Sequence, residues 1–268
     1  MNILITGKTG YISGRLNQAL TAGGHRCAAV SLRNGLSALE NLGKYDTVIH
    51  CAALVHSKTD DPGKYYEINA ELTGSLAERA KNEGVRRFVF MSTLAVYGIA
   101  DSLRGVAVID GHTPENPVTP YGGSKLMAEE RLRGLAGDHF QVYILRLPMV
   151  YGAGAPGNYA RLRRLVQLTP VFPKVSNRRS MIAIENLRQY VTALLKNSGQ
   201  TEAKGTEYVH ILCPQDPVPV CTSDLAAGIA AGMGKKIYLS PLLGRLVLFF
   251  PIGPIRKMFG SLVYTDNP

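Results

Sequence analysis

Tyr121 and Lys125 lie four residues apart in the segment YGGSK, which directly follows a proline. Proline suits the first turn of a helix, and residues four apart on a helix share one face. An ammonium group beside a phenol stabilises the phenolate, so we expect the pKa of Tyr121 to fall toward neutrality. Such a tyrosine can give a proton to a carbonyl oxygen or take one from an alcohol. Because this pairing is also common on solvated helix surfaces, further residues must support it.

A hydroxyl group is expected close to this pair. The run RRFVFMST ends in Ser92 and Thr93 and predicts a buried strand whose carboxyl end carries both hydroxyls. A hydroxyl, a phenol and an ammonium group can together polarise a substrate oxygen while a nicotinamide exchanges hydride with the adjoining carbon. The candidate catalytic residues are therefore Tyr121, Lys125 and one of the two hydroxyl residues, Ser92 or Thr93.

The segment TGKTGYISG, residues 6–14, follows the apolar run MNILI. A strand, closely spaced glycines and a helix place backbone N–H groups where the helix dipole favours a pyrophosphate. Gly7 allows a tight turn, and Gly10 lets the backbone approach the phosphates. Ser13 stands where a third glycine is usual. Because serine is small, we expect it to preserve the close packing of helix on strand.

The second predicted strand indicates which dinucleotide binds. An acidic residue at its end holds the adenosine ribose hydroxyls, whereas a basic residue accommodates a 2′-phosphate. Here the strand ends in SLRN, with Ser31 and Arg33 and no carboxylate. This pattern favours NADP(H) over NAD(H), with the alternative that Arg33 only caps a loop.

Alternating strands and helices position these residues. Short apolar runs predict buried parallel strands at 2–6, 27–32, 47–53, 86–92 and 141–147. Helical patterns fall at 12–22, 63–83 and 121–135. The predicted fold class is therefore α/β, a Rossmann-type doubly wound parallel sheet. We predict a dinucleotide-binding domain over 1–150 and a smaller substrate-binding lobe over 151–268, interleaved with the first as one structural unit.

The amino-acid composition limits which kinds of partner and which cellular compartment are expected. The formal charge of +10 suits an anionic partner, but the basic residues form no block or motif, which argues against nucleic acid. The cysteines show no spacing typical of a metal site or of disulfides. With no room for a signal peptide and no membrane-length apolar run, a cytoplasmic protein is expected. Residues 240–260 predict a docked helix starting at Ser240 and Pro241, with contact to anionic lipid as the less favoured alternative.

The motifs together resemble the extended short-chain dehydrogenases/reductases, the group of nucleotide-sugar epimerases, dehydratases and reductases. In chain order they are TGKTGYISG, VIHCAA, INAELTGSL, STLAVYG, YGGSK, RLPMVYGAGAPGN and RSMIAIENL. They occur in the family's order over nearly the whole chain. The resemblance implies a homodimer that pairs the helices near 63–83 and 121–135.

The resemblance also implies a role for each matching residue. Tyr121 matches the acid/base, Lys125 its partner at the nicotinamide ribose, and Thr93 the donor to the reacting oxygen. Beside Gly7, Gly10, Ser31 and Arg33, the residues expected at the cofactor are Thr9, Tyr11, Ile12, Ala52, Ala53, Asn69, Tyr121 and Lys125.

Two further matches concern the substrate. Asn158 and Arg179 fall where the family grips the diphosphate of a UDP- or TDP-sugar, and a guanidinium suits phosphate oxygens. Asn158 has the alternative of capping its helix. Between Arg33 and Asp46 the chain is too short for the strand and acidic turn that many relatives place against the adenine.

Three functions remain open at this point. Thr93 is followed by Leu94 and Ala95 and not by an Asp-Glu pair, which counts against a 4,6-dehydratase. Among the members of the family, the motifs most resemble reductases, so we predict NADPH-dependent reduction of the C4 keto group of a UDP-4-keto-6-deoxy-N-acetylhexosamine. Such a reaction makes a sugar for surface polysaccharide. The alternative is a UDP-hexose 4-epimerase with retained NAD. An alternative of another class is a non-catalytic NADP-binding regulatory protein on the same fold.

Overall fold

The chain folds around parallel strands that alternate with helices, and the computed structural model describes residues 1–55, 61–197, 208–250 and 252–265. The strands are β1 Asn2–Thr6, β2 Arg26–Val30, β3 Thr47–His50, β4 Arg87–Thr93, β5 Ala107–Ile109, β6 Gln141–Leu147, β7 Met149–Tyr151, β8 Val171–Pro173, β9 Met181–Ala183, β10 Val209–Leu212, β11 Tyr238–Ser240 and β12 Leu262–Tyr264. The helices are α1 Tyr11–Ala22, α2 Gly63–Tyr66, α3 Leu72–Asn82, α4 Pro120–Leu135, α5 Asn158–Leu168, α6 Ile184–Asn197, α7 Thr222–Gly232, α8 Pro241–Leu248 and α9 Gly253–Phe259.

The central sheet has six strands in the order β2-β1-β3-β4-β6-β10, all parallel. From β1 the chain first moves outward to β2 and then returns past β1 to β3. This change of direction is the place where open α/β sheets bind ligands, at the carboxyl ends of the strands. The predicted fold class, a doubly wound parallel sheet, is confirmed.

Side chains of the strands alternate between two apolar layers. Leu4, Val48 and Phe88 pack under α3 and α4 on one face. Ile3 and Val89, their neighbours in sequence, pack under α1 and α6 on the other face. Since both faces are covered by helices, the central residues of these strands are apolar on both sides, as the sequence pattern indicated.

Two segments differ from the regular pattern. Residues 31–46 contain a single 3-10 turn, Gly35–Ala38, and no strand, so the short connection expected from the sequence is confirmed. The helix predicted over 63–83 is interrupted, because a π-helical segment, Glu67–Glu71, separates α2 from α3. Such wide turns often occur at functional sites.

The chain beyond residue 150 contributes to two places. Helix α6 and strand β10 complete the central sheet and its helical cover. Helices α5, α7 and α9 surround a separate apolar cluster that includes Phe172 of β8. The two predicted units are thus joined by chain that passes between them, and the boundary at residue 150 stays a prediction.

The apolar stretch 240–260 forms two short helices and not the single docked helix that was predicted. The predicted start is correct: the Ser240 hydroxyl accepts from the Leu243 amide at 3.3 Å, and Pro241 is the first residue of α8. In the part of the chain that the structure describes, no helix has the length and apolarity needed to cross a bilayer.

Candidate active site

Glycines close the loop between β1 and α1. Gly7 has φ +82°, and a Cβ there would lie 3.0 Å from the Ala52 backbone nitrogen. L side chains rarely adopt this conformation. The Gly10 amide donates to the Gly7 carbonyl at 2.7 Å. A side chain at Gly7 would therefore push the loop away from Ala52 and Ala53, which follow β3.

Ser13 holds this loop from inside α1. Its hydroxyl lies 2.5 Å from the Gly7 carbonyl oxygen and 3.0 Å from that of Gly10, and the residue is buried. A Cβ at Gly10 would approach the same hydroxyl to 3.0 Å. Ser13 therefore does more than stay small in place of a glycine, since its hydroxyl bonds a loop carbonyl, which glycine cannot do.

The N-terminus of α1 suits an anion. Its N-cap is Gly10, which makes no side-chain capping bond, and the first turn holds no acidic residue. The first N–H groups of a helix lack partners inside the helix, and the dipole favours negative charge there. Gly7, Gly10 and these N–H groups fit the pyrophosphate of a dinucleotide.

The three other predicted loop residues are placed differently. Thr9 is exposed. The Tyr11 hydroxyl donates to the Ala153 carbonyl at 3.1 Å, and Ile12 packs against the apolar layer under α1 and α6. The side chains of Tyr11 and Ile12 are therefore engaged in packing within the protein.

Strand β4 and helix α4 bring Thr93 and Tyr121 together. Thr93 is the last residue of β4, and its hydroxyl lies close enough to the Tyr121 phenol to lower the pKa of Tyr121. Tyr121 is the second residue of α4, whose N-cap hydroxyl, on Thr119, accepts from the Gly122 amide at 3.1 Å. A Cβ at Gly122 would lie 2.6 Å from the Ala95 carbonyl oxygen, so the glycine lets α4 approach β4 closely.

The ionisation of Tyr121 differs from the expectation. Burial raises the pKa of Tyr121 to about 12, and the Thr93 hydroxyl beside the phenol offsets part of that rise. The predicted lowering by Lys125 is wrong for this structure, because the Lys125 ammonium donates to the Met91 carbonyl at 2.7 Å. Tyr121 therefore keeps its proton at neutral pH in this structure, and the phenol is a proton donor.

Lys125 is a buried cation. Only 2% of its surface is exposed, and this burial lowers its pKa to about 8, against the opposing influence of Cys51 and Glu129. Its Nζ lies 4.3 Å from the centroid of the Phe90 ring, whose face attracts a cation. The position of this ammonium group is thus fixed by packing, at a cost to folding that can be measured.

Asn69 lies in the π-helical segment and is fully buried. Its amide oxygen accepts from the Leu54 amide at 2.7 Å, and its amide nitrogen donates to the Leu54 carbonyl at 2.9 Å. The same nitrogen lies 3.0 Å from the Ser124 hydroxyl, which donates to the Tyr121 carbonyl at 2.9 Å. Asn69 therefore connects the loop after β3 to α4. Ser124 was missed in the sequence, although it lies three residues after Tyr121 on a helix.

Ser92 belongs to a structural network. Its hydroxyl donates to Glu129, which is fully buried and pairs with Arg146 at 2.6 Å. Arg146 also donates to the Tyr97 hydroxyl at 2.8 Å. Successive residues of a strand face opposite sides, so Ser92 points away from the side of Thr93.

The end of β2 lies beside the glycine loop. The Lys8 amide donates to the Val30 carbonyl at 3.0 Å, and the Arg33 amide lies 3.4 Å from the Ser31 hydroxyl. Lys8 and Arg33 are exposed, and residues 26–39 contain no Asp or Glu. This edge of the site is therefore basic.

A cavity of about 290 Å³ brings Asn158 and Arg179 together. Strands β7 and β9 pair Met149 with Met181, and both methionines line the cavity. Met149 follows β6, and Leu147 of β6 pairs with Thr93 at the end of β4, so the cavity begins beyond the strand next to β4.

The contacts in the cavity wall also bear on the roles predicted for Asn158 and Arg179. Asn158 is the first residue of α5 and the N-cap is Gly157, so the capping alternative is wrong. Arg179 forms an ion pair with Asp101 at 3.1 Å and donates to the Lys257 carbonyl. Two basic residues that sequence reasoning missed, Arg161 and Lys257, share the wall. No motif marks them, because residues of five separate segments form the cavity.

Fold and site together define an NAD(P)-dependent oxidoreductase. The chain belongs to the NAD dependent epimerase/dehydratase family, whose model matches residues 3–203. It is an enzyme of the NAD(P)-dependent nucleotide-sugar epimerase/reductase group. The matched range includes the glycine loop, Thr93, Tyr121, Lys125 and Arg179.

Individual relatives span most of the chain. The UDP-glucose 4-epimerase of Vibrio cholerae is 29% identical over 97% of this chain and 82% of its own length. In structure, the dTDP-4-dehydrorhamnose reductase of Clostridium acetobutylicum matches with a TM-score of 0.72 at 20% identity, covering 100% of this chain and 90% of the other. The UDP-glucuronic acid 4-epimerase of Bacillus cereus, in complex with NAD, matches with a TM-score of 0.71 at 17% identity and covers 97% of each chain.

Proposed function

We propose that this chain interconverts the C4 epimers of a UDP-hexose with an NAD that stays bound. The observation that carries the proposal is the contact between Thr93 and Tyr121 beside the buried Lys125, at the same sheet edge as the glycine loop. The choice of epimerisation follows the Vibrio cholerae relative, which bears that name and covers 97% of this chain. The sequence alone had favoured the reductase.

Each residue has a separate task in the oxidative half-reaction. NAD bound at the Gly7–Gly10 loop would supply the hydride acceptor. Tyr121, present as the phenolate in this half-reaction, would take the proton from the sugar O4, while the hydride of C4 would pass to the nicotinamide. Thr93 donates a hydrogen bond to O4 and aligns it, and Lys125 holds the nicotinamide ribose. The product of this half-reaction is a 4-keto sugar.

The second half-reaction reverses these transfers on the other face of the sugar. The hydride returns to C4, and Tyr121 returns its proton to O4, so no cofactor is consumed. A neutral phenol is the form required for this step, and burial favours it. Thr93 and Tyr121 together stabilise the negative charge that develops on the oxygen.

Basic side chains at the cavity suit the substrate diphosphate. Arg179, Arg161 and Lys257 lie on its wall with Asn158. We propose that Arg179 and Asn158 bind the diphosphate of a UDP-sugar, with a TDP-sugar as the alternative. Arg179 then exchanges part of its interaction with Asp101 for phosphate oxygens, which a guanidinium can contact in pairs.

An NADPH-dependent 4-keto reductase is the second candidate. It is favoured by the end of β2, where Ser31 and the exposed Arg33 stand beside Lys8 without a carboxylate. A basic edge accommodates the 2′-phosphate of NADP(H). The protonated Tyr121 also suits a reaction that begins by protonating a ketone oxygen.

One pair of assays separates the two candidates. In the first, purified protein with NAD is given UDP-glucose. The epimerase forms UDP-galactose without a lasting change in the absorbance of the reduced nicotinamide. In the second, the protein is given NADPH and a UDP-4-keto-6-deoxy-N-acetylhexosamine. Stoichiometric loss of NADPH in the second assay, with no product in the first, would establish the reductase instead.

We also propose a homodimer that pairs the faces of α3 and α4. These two helices pack closely on each other, since a Cβ at Gly74 would lie 2.9 Å from the Arg131 side chain. Met127 of α4 is exposed to solvent in the single chain. Sedimentation equilibrium tests the proposal, because Met127→Glu is expected to shift the protein toward the monomer.

A further inference from the structure

Helix α8 carries an apolar face that no described part of the chain covers. Leu242, Leu246 and Phe249 follow one another at helical spacing and are 75%, 51% and 80% exposed. Phe250 and Ile252, at 54% and 57%, continue this surface. We name these five residues the α8 patch. Contiguous exposed apolar side chains of this kind mark interaction surfaces.

The opposite face of α8 is already used in folding. A Cβ at Gly244 would lie 2.0 Å from the Lys174 carbonyl oxygen, so the helix rests directly on the end of β8. Val247 packs against the apolar cluster around Phe172. The Ser240 cap fixes where the helix begins. Because its inner face is fixed in this way, the helix cannot turn the α8 patch inward without losing these contacts.

The helix that carries the α8 patch and the helix that follows it are basic. Arg245 lies on α8, Arg256 and Lys257 lie on α9, and residues 225–265 contain no Asp or Glu. A groove of about 560 Å³ beside Phe249 is lined by Arg104 and Arg256. The acidic side chain in this groove, Asp101, is paired with Arg179 at 3.1 Å. The uncompensated charge around the patch is therefore positive.

We propose that the α8 patch binds the surface of an anionic phospholipid membrane. Aromatic and aliphatic side chains enter the interface while guanidinium groups contact lipid phosphates, as at other amphipathic basic surfaces. A second copy of this chain fits the patch less well, since it would bring two basic surfaces together. Lys257 and Met258 of α9 also line the substrate cavity, so docking places that cavity beside the lipid headgroups.

Vesicle flotation tests the proposal with the full chain. The protein is expected to float with vesicles of equal parts phosphatidylglycerol and phosphatidylcholine, and to remain in solution with phosphatidylcholine alone. Added salt weakens the binding, because the charge contribution is screened. No flotation with the anionic vesicles, or equal flotation with both, would overturn the proposal.

Matched variants locate the surface. Phe249→Ser is expected to lower partitioning roughly ten-fold, as expected for one large apolar side chain. Val218→Ser, at a site 71% exposed on another loop, is expected to leave it unchanged. Arg245→Gln weakens binding to the anionic vesicles, whereas Arg86→Gln, at the amino edge of the sheet, does not. Thermal unfolding of each variant verifies that it is folded.

The same variants identify a competing occupant. If sedimentation shows association of the wild-type chain that Phe249→Ser abolishes, and vesicles do not bind, the patch joins two copies and the lipid proposal is wrong. Partitioning that is equal for Phe249→Ser and the wild type would place lipid binding elsewhere and also overturn it.

Discussion

The proposed cofactor side and the proposed substrate side of this enzyme are built in different ways. At the cofactor side, Ser13, Asn69 and Lys125 are buried and held by short hydrogen bonds within or between neighbouring motifs. At the proposed substrate side, residues of five separate segments form a cavity, and Arg179 on its wall pairs with Asp101. The rigid side suits chemistry that many nucleotide sugars share. The cavity, which distant segments form together, suits selection among nucleotide sugars.

Replacing the proposed acid/base is expected to have the largest effect. Tyr121→Phe removes the proton donor while leaving the glycine loop and Lys125 in place. We expect kcat to fall roughly 1000-fold and NAD affinity to stay within about two-fold, as is typical for loss of a general acid/base. Steady-state kinetics and NAD titration measure both. Tyr45→Phe is the control, and a Tyr121→Phe enzyme within ten-fold of wild type would show that another group moves the proton.

Lys125 is expected to change how stability depends on pH. Its pKa is about 8 in the folded chain and 10.5 in the unfolded reference, so the unfolded state binds more protons between these values. Stability of the cofactor-free wild type therefore rises with pH across this window, by up to about 1.4 kcal/mol per pH unit relative to Lys125→Met. Urea unfolding of both proteins gives this difference. A difference that does not vary with pH would mean that Lys125 is not destabilised by burial.

Alanine substitutions at Gly7 and Gly14 are expected to have different effects on NAD affinity. Gly7→Ala places a Cβ in a left-handed conformation and against Ala52, which costs about 2 kcal/mol, so NAD affinity should fall roughly 30-fold. Gly14→Ala is the matched control, since nothing lies within 4 Å of its new Cβ. Isothermal titration with NAD measures both. Equal affinities would place the pyrophosphate away from this loop.

Loss of the proposed diphosphate contact is expected to raise KM for the UDP-sugar. Arg179→Gln removes a charged contact to the diphosphate, so KM for the UDP-sugar should rise roughly ten-fold while NAD affinity is kept. Arg178→Gln, on the exposed neighbouring residue, should change neither value. If Arg179→Gln lowers thermal stability and leaves KM unchanged, Arg179 serves only its ion pair with Asp101.

The contrast between local motifs and the cavity formed by distant segments also explains which features could be predicted from sequence. The glycine loop and the YGGSK helix are local patterns, because Gly7 needs its backbone conformation and Thr119 caps α4 within the motif. Their positions follow from residues a few places apart in the chain. The fold class, a doubly wound parallel sheet, follows in a similar way from the alternation of apolar runs with helical patterns.

Other features depend on contacts between distant segments. The pKa of Tyr121 was predicted with the wrong sign because burial outweighs the neighbouring cation, whose ammonium bonds Met91. The π-helical segment forms where Asn69 bonds Leu54 and Ser124. Arg161 and Lys257 reach the cavity only through packing of α5 and α9. None of these contacts has a pattern in the local sequence.

Isotope labelling at the sugar carbon tests most directly whether the chain epimerises C4 by reversible hydride transfer to a bound NAD. UDP-glucose with deuterium at C4 is incubated with the NAD-loaded protein in ordinary water, and the UDP-galactose formed is analysed by mass spectrometry and NMR. We expect the product to keep its deuterium at C4, because hydride leaves to the nicotinamide and returns without meeting solvent. Replacement of that deuterium by solvent hydrogen, or no formation of UDP-galactose, would contradict the proposed reaction.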